Sequence, residues 1–141
     1  MIEEISFFLQ DKPNKLAKAL ETLSPINILA FSIDRSAGAF SIVRLLVRET
    51  ETEQAKKLLS QNAYGYESHM IFALLLPHQP GALSNITNLL GKINVNIDYG
   101  YLTVFKGTKK AIVILSTNDI EKTKDILVKN GIQDLDKLPE S

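Results

Sequence analysis

Residues 76–98 read LPHQPGALSNITNLLGKINVNID, and residues 9–31 read LQDKPNKLAKALETLSPINILAF. Aligned at a shift of 67 positions, the two stretches share six identities within nineteen positions, where ordinary composition gives roughly one. The repeated residues are Leu9, Pro13, Leu16, Leu23, Ile26 and Asn27, which recur as Leu76, Pro80, Leu83, Leu90, Ile93 and Asn94. This period is too long for a solenoid repeat and is typical of two copies of one small domain. We therefore predict one domain over residues 1–68 and a second over residues 69–141.

The composition limits the class of protein. Of the 141 residues, 45% are hydrophobic and 23% charged, which is typical of globular domains with packed cores. The 16 basic and 16 acidic residues cancel, so the chain has no net field that would attract nucleic acid or an acidic membrane. The absence of cysteine excludes disulfides, thiolate nucleophiles and sulfur-ligated metals. The apolar runs are too short to span a bilayer, and the N-terminus lacks the pattern of a signal peptide, so we expect a cytoplasmic protein.

Hydrophobic periodicity predicts the elements of the first copy. An apolar run is typical of a buried strand, and apolar residues three and four positions apart are typical of a helix. Two further strands form a hairpin, and Thr50 with Glu53 predicts a capping box at the start of a second helix. The predicted elements are a strand at 5–9, a helix from 14 to 23, strands at 26–33 and 40–47 connected through residues 35–38, and a helix from 50.

The second copy repeats this order. Gly91 is predicted to end its first helix in a left-handed conformation, Asn118 or Asp119 to cap the second helix, and Asn130 with Gly131 to end it. Residues 66–76 are predicted to run as one extended segment. The other predicted elements are a helix at 82–90, strands at 93–104 and 111–115 joined by a connection at 105–110 that is longer than its counterpart, and a weak final strand at 133–138.

Strand, helix, strand, strand, helix, strand is the order of the ferredoxin-like split unit. The predicted fold class is therefore α+β, with two βαββαβ units, each with an antiparallel sheet and both helices on one face. Arg44, inside an apolar strand, predicts a partly buried ion pair.

The turn Pro80-Gly81-Ala82-Leu83, followed by Val95-Asn96-Ile97-Asp98, resembles the signature of the ACT domain. The resemblance covers both copies and implies a tandem ACT protein that binds an amino acid, which we expect to stand alone without a catalytic domain. It implies ligand contacts, and the residues that correspond to them are Leu76, His78, Gly81, Ala82, Leu83, Val95 and Asn96.

This implication agrees with the chemistry of the residues. Free N–H groups at a helix N-terminus favour a carboxylate, and Gly81 lets the backbone come close to it. The side chains of Asn94, Asn96 and Asp98 offer acceptors for an ammonium group. Taken alone, these residues also suit an exposed turn and a hairpin surface.

The first copy departs from this pattern. Asp11 replaces His78, Asn14 replaces Gly81, and Leu29 stands at the position of Asn96. Because Asn tolerates the left-handed conformation, the turn is expected to survive there without the same approach to a ligand. The first copy is either a second site or a structural partner.

The sequence favours a regulatory protein over an enzyme. We find no triad at a known spacing, no metal-ligand spacing and no phosphate loop, and we predict no catalytic residue, metal or cofactor. The predicted function is an amino acid sensor or regulatory subunit of amino acid metabolism, forming a homodimer or larger homo-oligomer and engaging a metabolic enzyme. The alternative is a structural module for protein–protein interaction without ligand binding. An RNA-binding domain of similar fold would need basic and aromatic strand motifs that this chain lacks.

Overall fold

The computed structural model describes residues 1–36, 38–104 and 107–139. Ala37 in the first predicted hairpin and Phe105 and Lys106 in the predicted longer connection lie outside this range. The described elements are β1 (Ile2–Gln10), α1 (Lys15–Thr22), β2 (Ile28–Arg35), β3 (Phe40–Val47), a 3-10 turn (Glu49–Glu51), α2 (Thr52–Gln61), β4 (Tyr66–Pro77), α3 (Ala82–Lys92), β5 (Ile97–Val104), β6 (Lys110–Thr117), α4 (Ile120–Lys129) and β7 (Gln133–Asp134).

The chain divides into two compact units. The N-terminal unit is Glu3–Met70, and the C-terminal unit combines Met1–Ile2 with Ile71–Ser141. The first two residues belong to the C-terminal unit, where the Met1 ammonium lies 3.0 Å from Asp134 Oδ2. The predicted extended segment at 66–76 is confirmed as the single strand β4.

The N-terminal unit has the strand order β2-β3-β1-β4. Strand β3 is antiparallel to both described neighbours, with Leu45 opposite Ile5 of β1 and opposite Phe31 of β2. Alternate residues of a strand point to one face, and this periodicity places one set against the helices. The buried core residues are Ile5, Phe7, Leu9, Ala19, Leu23, Ile26, Val43, Leu45, Ala55 and Leu59.

The ion pairs of this unit include one between β2 and β3 and one between β1 and α2. Arg44 Nη1 lies 3.1 Å from Asp34 Oδ2, and its side chain is 13% exposed, which confirms the predicted partly buried pair. Lys56 pairs with Glu3, and its hydrogen bond lowers the pKa of the Glu3 carboxyl. The same bond raises the pKa of the Lys56 ammonium.

The C-terminal unit has the strand order β5-β6-β4-β7, the counterpart of the N-terminal order. Strand β4 is antiparallel to its two neighbours in this unit, with Leu74 opposite Val113 of β6 and opposite Asp134 of β7. This confirms the α+β class with antiparallel sheets. Strand β7 is only two residues long, shorter than the predicted 133–138, in a stretch where Asp and Lys alternate with few apolar residues. The buried core residues are Phe72, Leu74, Leu76, Ile86, Leu90, Val95, Val113, Leu115 and Leu127.

Several predicted helix ends are wrong. Thr50 does not cap α2, because residues 49–51 form a 3-10 turn and the helix begins at Thr52 without a side-chain cap. Gly91 lies inside α3, and the left-handed residue is Asn94, with φ 59°. Val95 N closes this helix end by donating to Leu90 O at 3.0 Å. Residues 93–95 form that closure, and β5 begins at Ile97 rather than at Ile93.

Other predicted helix ends are confirmed. Asp119 Oδ1 accepts a hydrogen bond from Lys122 N at 3.0 Å and so caps α4. Gly131, just beyond that helix, is left-handed, with φ 62°.

Candidate functional site

The loop between β4 and α3 follows a tightly bonded backbone path. His78 N donates to Lys109 O at 2.7 Å, and Gln79 N donates to Pro77 O at 3.0 Å. Gly81 then adopts φ 86° and ψ −10°, a left-handed conformation that disfavours residues with a Cβ. Glycine at this position lets the chain turn directly from the strand into the helix.

The first turn of helix α3 has no side-chain cap. Gly81 is the N-cap residue, and the turn carries no acidic residue. Gly81 O accepts from Asn85 N at 3.0 Å, which starts the helical ladder. The first N–H groups of a helix and its dipole together make a favourable environment for an anion.

A cavity of about 410 Å³ adjoins this turn. Its volume is within the range of small-molecule sites. All the residues of the turn contribute to its lining, together with residues of three strands. The lining residues are Leu76, Pro77, His78, Gln79, Pro80, Gly81, Ala82, Leu83, Ser84, Leu102, Ala111 and Val113.

The sheet provides the apolar side of this cavity. Val113 of β6 is opposite Leu102 of β5, and Ala111 of β6 is opposite Leu76 of β4. Leu102 and Leu83 are 46% and 49% exposed, so the cavity keeps apolar surface in contact with solvent. Among the described lining residues, only His78, Gln79 and Ser84 have polar side chains, and none is Asp, Glu, Lys or Arg. The arrangement combines an apolar wall with an anion-favouring helix end.

The N-terminal unit repeats the turn bond for bond. Asp11 N donates to Ala39 O at 2.7 Å, and Lys18 N donates to Asn14 O at 3.1 Å, as His78 and Asn85 do in the other unit. Asn14 is left-handed, with φ 69° and ψ −4°, which confirms that the turn survives the replacement of glycine.

The side chains at this second turn differ from those at the first. Asp11, at the position of His78, forms an ion pair with Arg35, in which Nε lies 2.7 Å from Oδ2. A carboxylate therefore stands where the C-terminal unit has an imidazole.

The comparison with known families agrees with the duplicated fold and the turn. The model of the ACT domain pair matches residues 1–138. The chain belongs to the ACT domain pair family. Among curated proteins, no relative matches.

Several solved structures are similar in fold to this chain. The crystal structure of protein BT0572 from Bacteroides thetaiotaomicron has a TM-score of 0.84 and 26% identity, covering 95% of this chain and 91% of that chain. The ligand-free regulatory subunit of aspartate kinase from Thermus thermophilus has a TM-score of 0.64 and 12% identity, covering 90% of each chain. A crystal structure of aspartokinase alpha and beta subunits has a TM-score of 0.62 and 15% identity, also covering 90% of each chain. At these two lower identities the likeness concerns the fold alone.

The structure brings five of the residues carried over from the ACT signature together at the cavity. They are Leu76 at the end of β4, His78 in the loop, Gly81 at the helix cap, and Ala82 and Leu83 in the first turn of α3. Each lies on the strand-to-helix turn, so their proximity follows from the local sequence.

Two predicted ACT contacts lie away from the described lining. Val95 is 6% exposed and belongs to the core of the C-terminal unit. Asn96 N donates to Asn118 Oδ1 at 2.9 Å, and Asn96 Nδ2 donates to Asp98 Oδ1 at 3.1 Å. The amide of Asn96 and the carboxylate of Asp98, both considered as acceptors for an ammonium group, thus bond to each other.

Sequence reasoning missed the strand residues of the cavity, Leu102, Ala111 and Val113. The available signal was the alternation of β5, in which Leu102 and Val104 lie on one face. Their position beside the Pro-Gly turn depends on strand register, which the sequence pattern did not provide.

Two further properties concern the described residues as a group. Across residues 1–36, 38–104 and 107–139, no three His, Cys, Asp or Glu side chains form a group able to hold a metal ion. In the same ranges, none of the helices is long and apolar enough to cross a bilayer.

Proposed function

We propose that this ACT pair binds a free amino acid and acts as an allosteric sensor or regulatory subunit of amino acid metabolism. The observation that supports it most is the cavity of about 410 Å³ at the Gly81 turn, between an uncapped helix end and an apolar sheet face. Membership of the ACT domain pair family agrees with a regulatory role rather than a catalytic one.

In this proposal the two charged groups of the amino acid have different partners. The carboxylate accepts hydrogen bonds from the first turn of α3, where the backbone at Gly81 is free of a side chain. The ammonium donates to polar groups of the loop, such as the side-chain oxygens of Gln79 and Ser84, which line the same cavity.

The proposed site residues are Leu76, His78, Gly81, Ala82, Leu83, Val95 and Asn96. Because Val95 and Asn96 lie outside the described lining, we assign them a role only in a homodimer or larger homo-oligomer, in which a second copy completes the site. A ligand acts as a switch only if it binds one arrangement of such an assembly more tightly than another. We propose that the arrangement so favoured engages a metabolic enzyme in the cytoplasm.

The test is a thermal-shift screen with the twenty amino acids, followed by calorimetry. A ligand that binds only the folded state raises the melting temperature, adding about 2.7 kcal/mol of stability at a hundred times its Kd. We expect at least one amino acid to stabilise the protein at millimolar concentration. An unchanged melting temperature with all twenty amino acids would refute the proposal.

A matched pair of variants locates the binding. Gly81→Asn keeps the turn, since Asn14 holds the same conformation in the N-terminal unit, but places a side chain at the cavity. Loss of charge-assisted hydrogen bonds reduces affinity about ten- to hundredfold. The control, Asn14→Gly, is expected to leave binding unchanged. Equal effects of the two substitutions would contradict the assignment.

An interaction module without ligand is the second candidate. Strands β2 and β5 are the outer strands of their units, and each exposes apolar side chains. Phe31 and Ile33 of β2 are 49% and 42% exposed, and Leu102 and Val104 of β5 are 46% and 45% exposed. Exposed apolar edges are typical of strand-mediated association. No response to amino acids, together with an oligomer that Phe31→Lys dissociates, would favour this function.

A further inference from the structure

We propose that the cavity of the C-terminal unit selects amino acids with an uncharged, aliphatic side chain, of the size of valine to leucine, and that the N-terminal unit does not bind them. This inference rests on the proposed function, because it assigns the ligand class of the same cavity.

The apolar wall of the cavity, formed by β4, β5 and β6, indicates an aliphatic ligand side chain. Two cross-strand pairs, Leu102 with Val113 and Leu76 with Ala111, place four apolar side chains side by side. Leu83 adds a fifth apolar side chain from the helix, half of it still exposed. A ligand whose carboxylate lies at the helix end therefore places its side chain against hydrocarbon.

The described lining residues also indicate that the side chain of the ligand is uncharged. Among its described residues there is no Asp, Glu, Lys or Arg to pair with a charged ligand side chain. Burial of an unpaired charge is strongly unfavourable, whereas each buried methylene group strengthens binding about fourfold. Leucine has three more side-chain carbons than alanine, so we expect it to bind up to about sixtyfold more tightly.

The corresponding wall of the N-terminal unit differs from that of the C-terminal unit at the position of Ala111. Ser41 stands at the position of Ala111, where it is opposite Leu9 of β1 and Arg35 of β2. Arg35 is also the partner of Asp11 in the loop. A ligand in the N-terminal unit would therefore meet the hydroxyl of Ser41 and the carboxylate of Asp11 at the positions where the C-terminal unit has the methyl group of Ala111 and the imidazole of His78. We therefore expect one aliphatic ligand per chain.

The experiment is titration calorimetry of the full chain with leucine, valine, alanine, lysine and aspartate. Leucine and valine are expected to bind most tightly, with one site per chain, and lysine and aspartate at least about a hundredfold more weakly. Tighter binding of lysine or aspartate, or two leucine sites per chain, would overturn the inference and leave the proposed function standing. Absence of binding by all twenty amino acids would instead refute the proposed function, and this inference with it.

A matched pair of substitutions tests the wall. Leu102→Lys places a charge at the cavity, and Ile33→Lys places it at the equivalent strand position of the N-terminal unit, opposite Val43. Both residues are more than two-fifths exposed, so both variants are expected to fold. Leucine affinity should fall at least about tenfold in Leu102→Lys and stay unchanged in Ile33→Lys. Leu83→Lys, on the helix, serves as a second variant. Unchanged leucine binding in both cavity variants would show that the ligand lies elsewhere.

Discussion

Helices α2 and α4 end in the same backbone motif with different residues. Ala63 has φ 62°, and Gly131, its counterpart in the second copy, also has φ 62°. Tyr64 N bonds to Leu59 O at 2.9 Å in the first motif, and Ile132 N bonds to the equivalent carbonyl of α4 at 3.0 Å in the second. Ala63 is thus a residue with a Cβ in a conformation that favours glycine, and Ala63→Gly should stabilise the N-terminal unit.

The magnitude follows from two opposing contributions. A left-handed conformation costs a residue with a Cβ about 1–2 kcal/mol. Because glycine makes the unfolded chain more flexible, the substitution also stabilises the unfolded state, which offsets about 0.4–1 kcal/mol of the gain. Ala63 is exposed, so its methyl group contributes little packing. The net expectation for Ala63→Gly is a stabilisation of about 0.5–1 kcal/mol. The reciprocal change, Gly131→Ala, should destabilise the C-terminal unit similarly, because a Cβ there meets no atom within 4 Å and only the backbone strain remains.

Urea unfolding and calorimetry of the two variants measure these changes. One kilocalorie per mole corresponds to a shift in Tm of about 2–4 °C for a chain of this size. We expect a higher midpoint for Ala63→Gly and a lower one for Gly131→Ala. If Ala63→Gly did not raise the stability and Gly131→Ala left it unchanged, backbone strain at φ 62° would not contribute to the stability of these helix ends.

Three other predictions concern single positions. Gly100→Ala should lower the free energy of unfolding in urea by about 1–3 kcal/mol, because its Cβ would lie 2.8 Å from Leu115 Cδ2 and 2.9 Å from a backbone oxygen of β6; an unchanged midpoint would contradict the clash. Asp119→Ala removes the cap of α4 and should cost about 1 kcal/mol in the same assay, with Asp119→Asn as the control that retains a capping oxygen. Lys56 holds the pKa of Glu3 below its usual 4.5, so this pair stabilises the fold above that pH and the stabilisation is lost as the pH falls through the lowered pKa. The variant Glu3→Gln should therefore lose less stability than the unmodified protein between about pH 5 and pH 3. An equal loss in the two proteins would contradict this linkage.

The order of elements was predictable because it depends on patterns within short stretches of sequence. A strand alternates every two residues and a helix every 3.6, and both copies carry these periods in the same order. The left-handed turn before α1 and α3 was predictable for the same reason, since Pro followed by Gly or Asn restricts the backbone. The helix ends at Thr50 and Gly91 were not, because several neighbouring residues were equally able to cap or turn, and packing selected among them.

For the candidate site, adjacency along the chain was enough to predict one side. Leu76, His78, Gly81, Ala82 and Leu83 lie together because they belong to eight consecutive residues that pass from strand to helix. The other side belongs to β5 and β6, and a register shift of one residue would turn their apolar side chains to the opposite face. Register depends on contacts between residues distant in sequence, so the apolar wall, the cavity and the separation of Asn96 from it emerged only when the chain was folded.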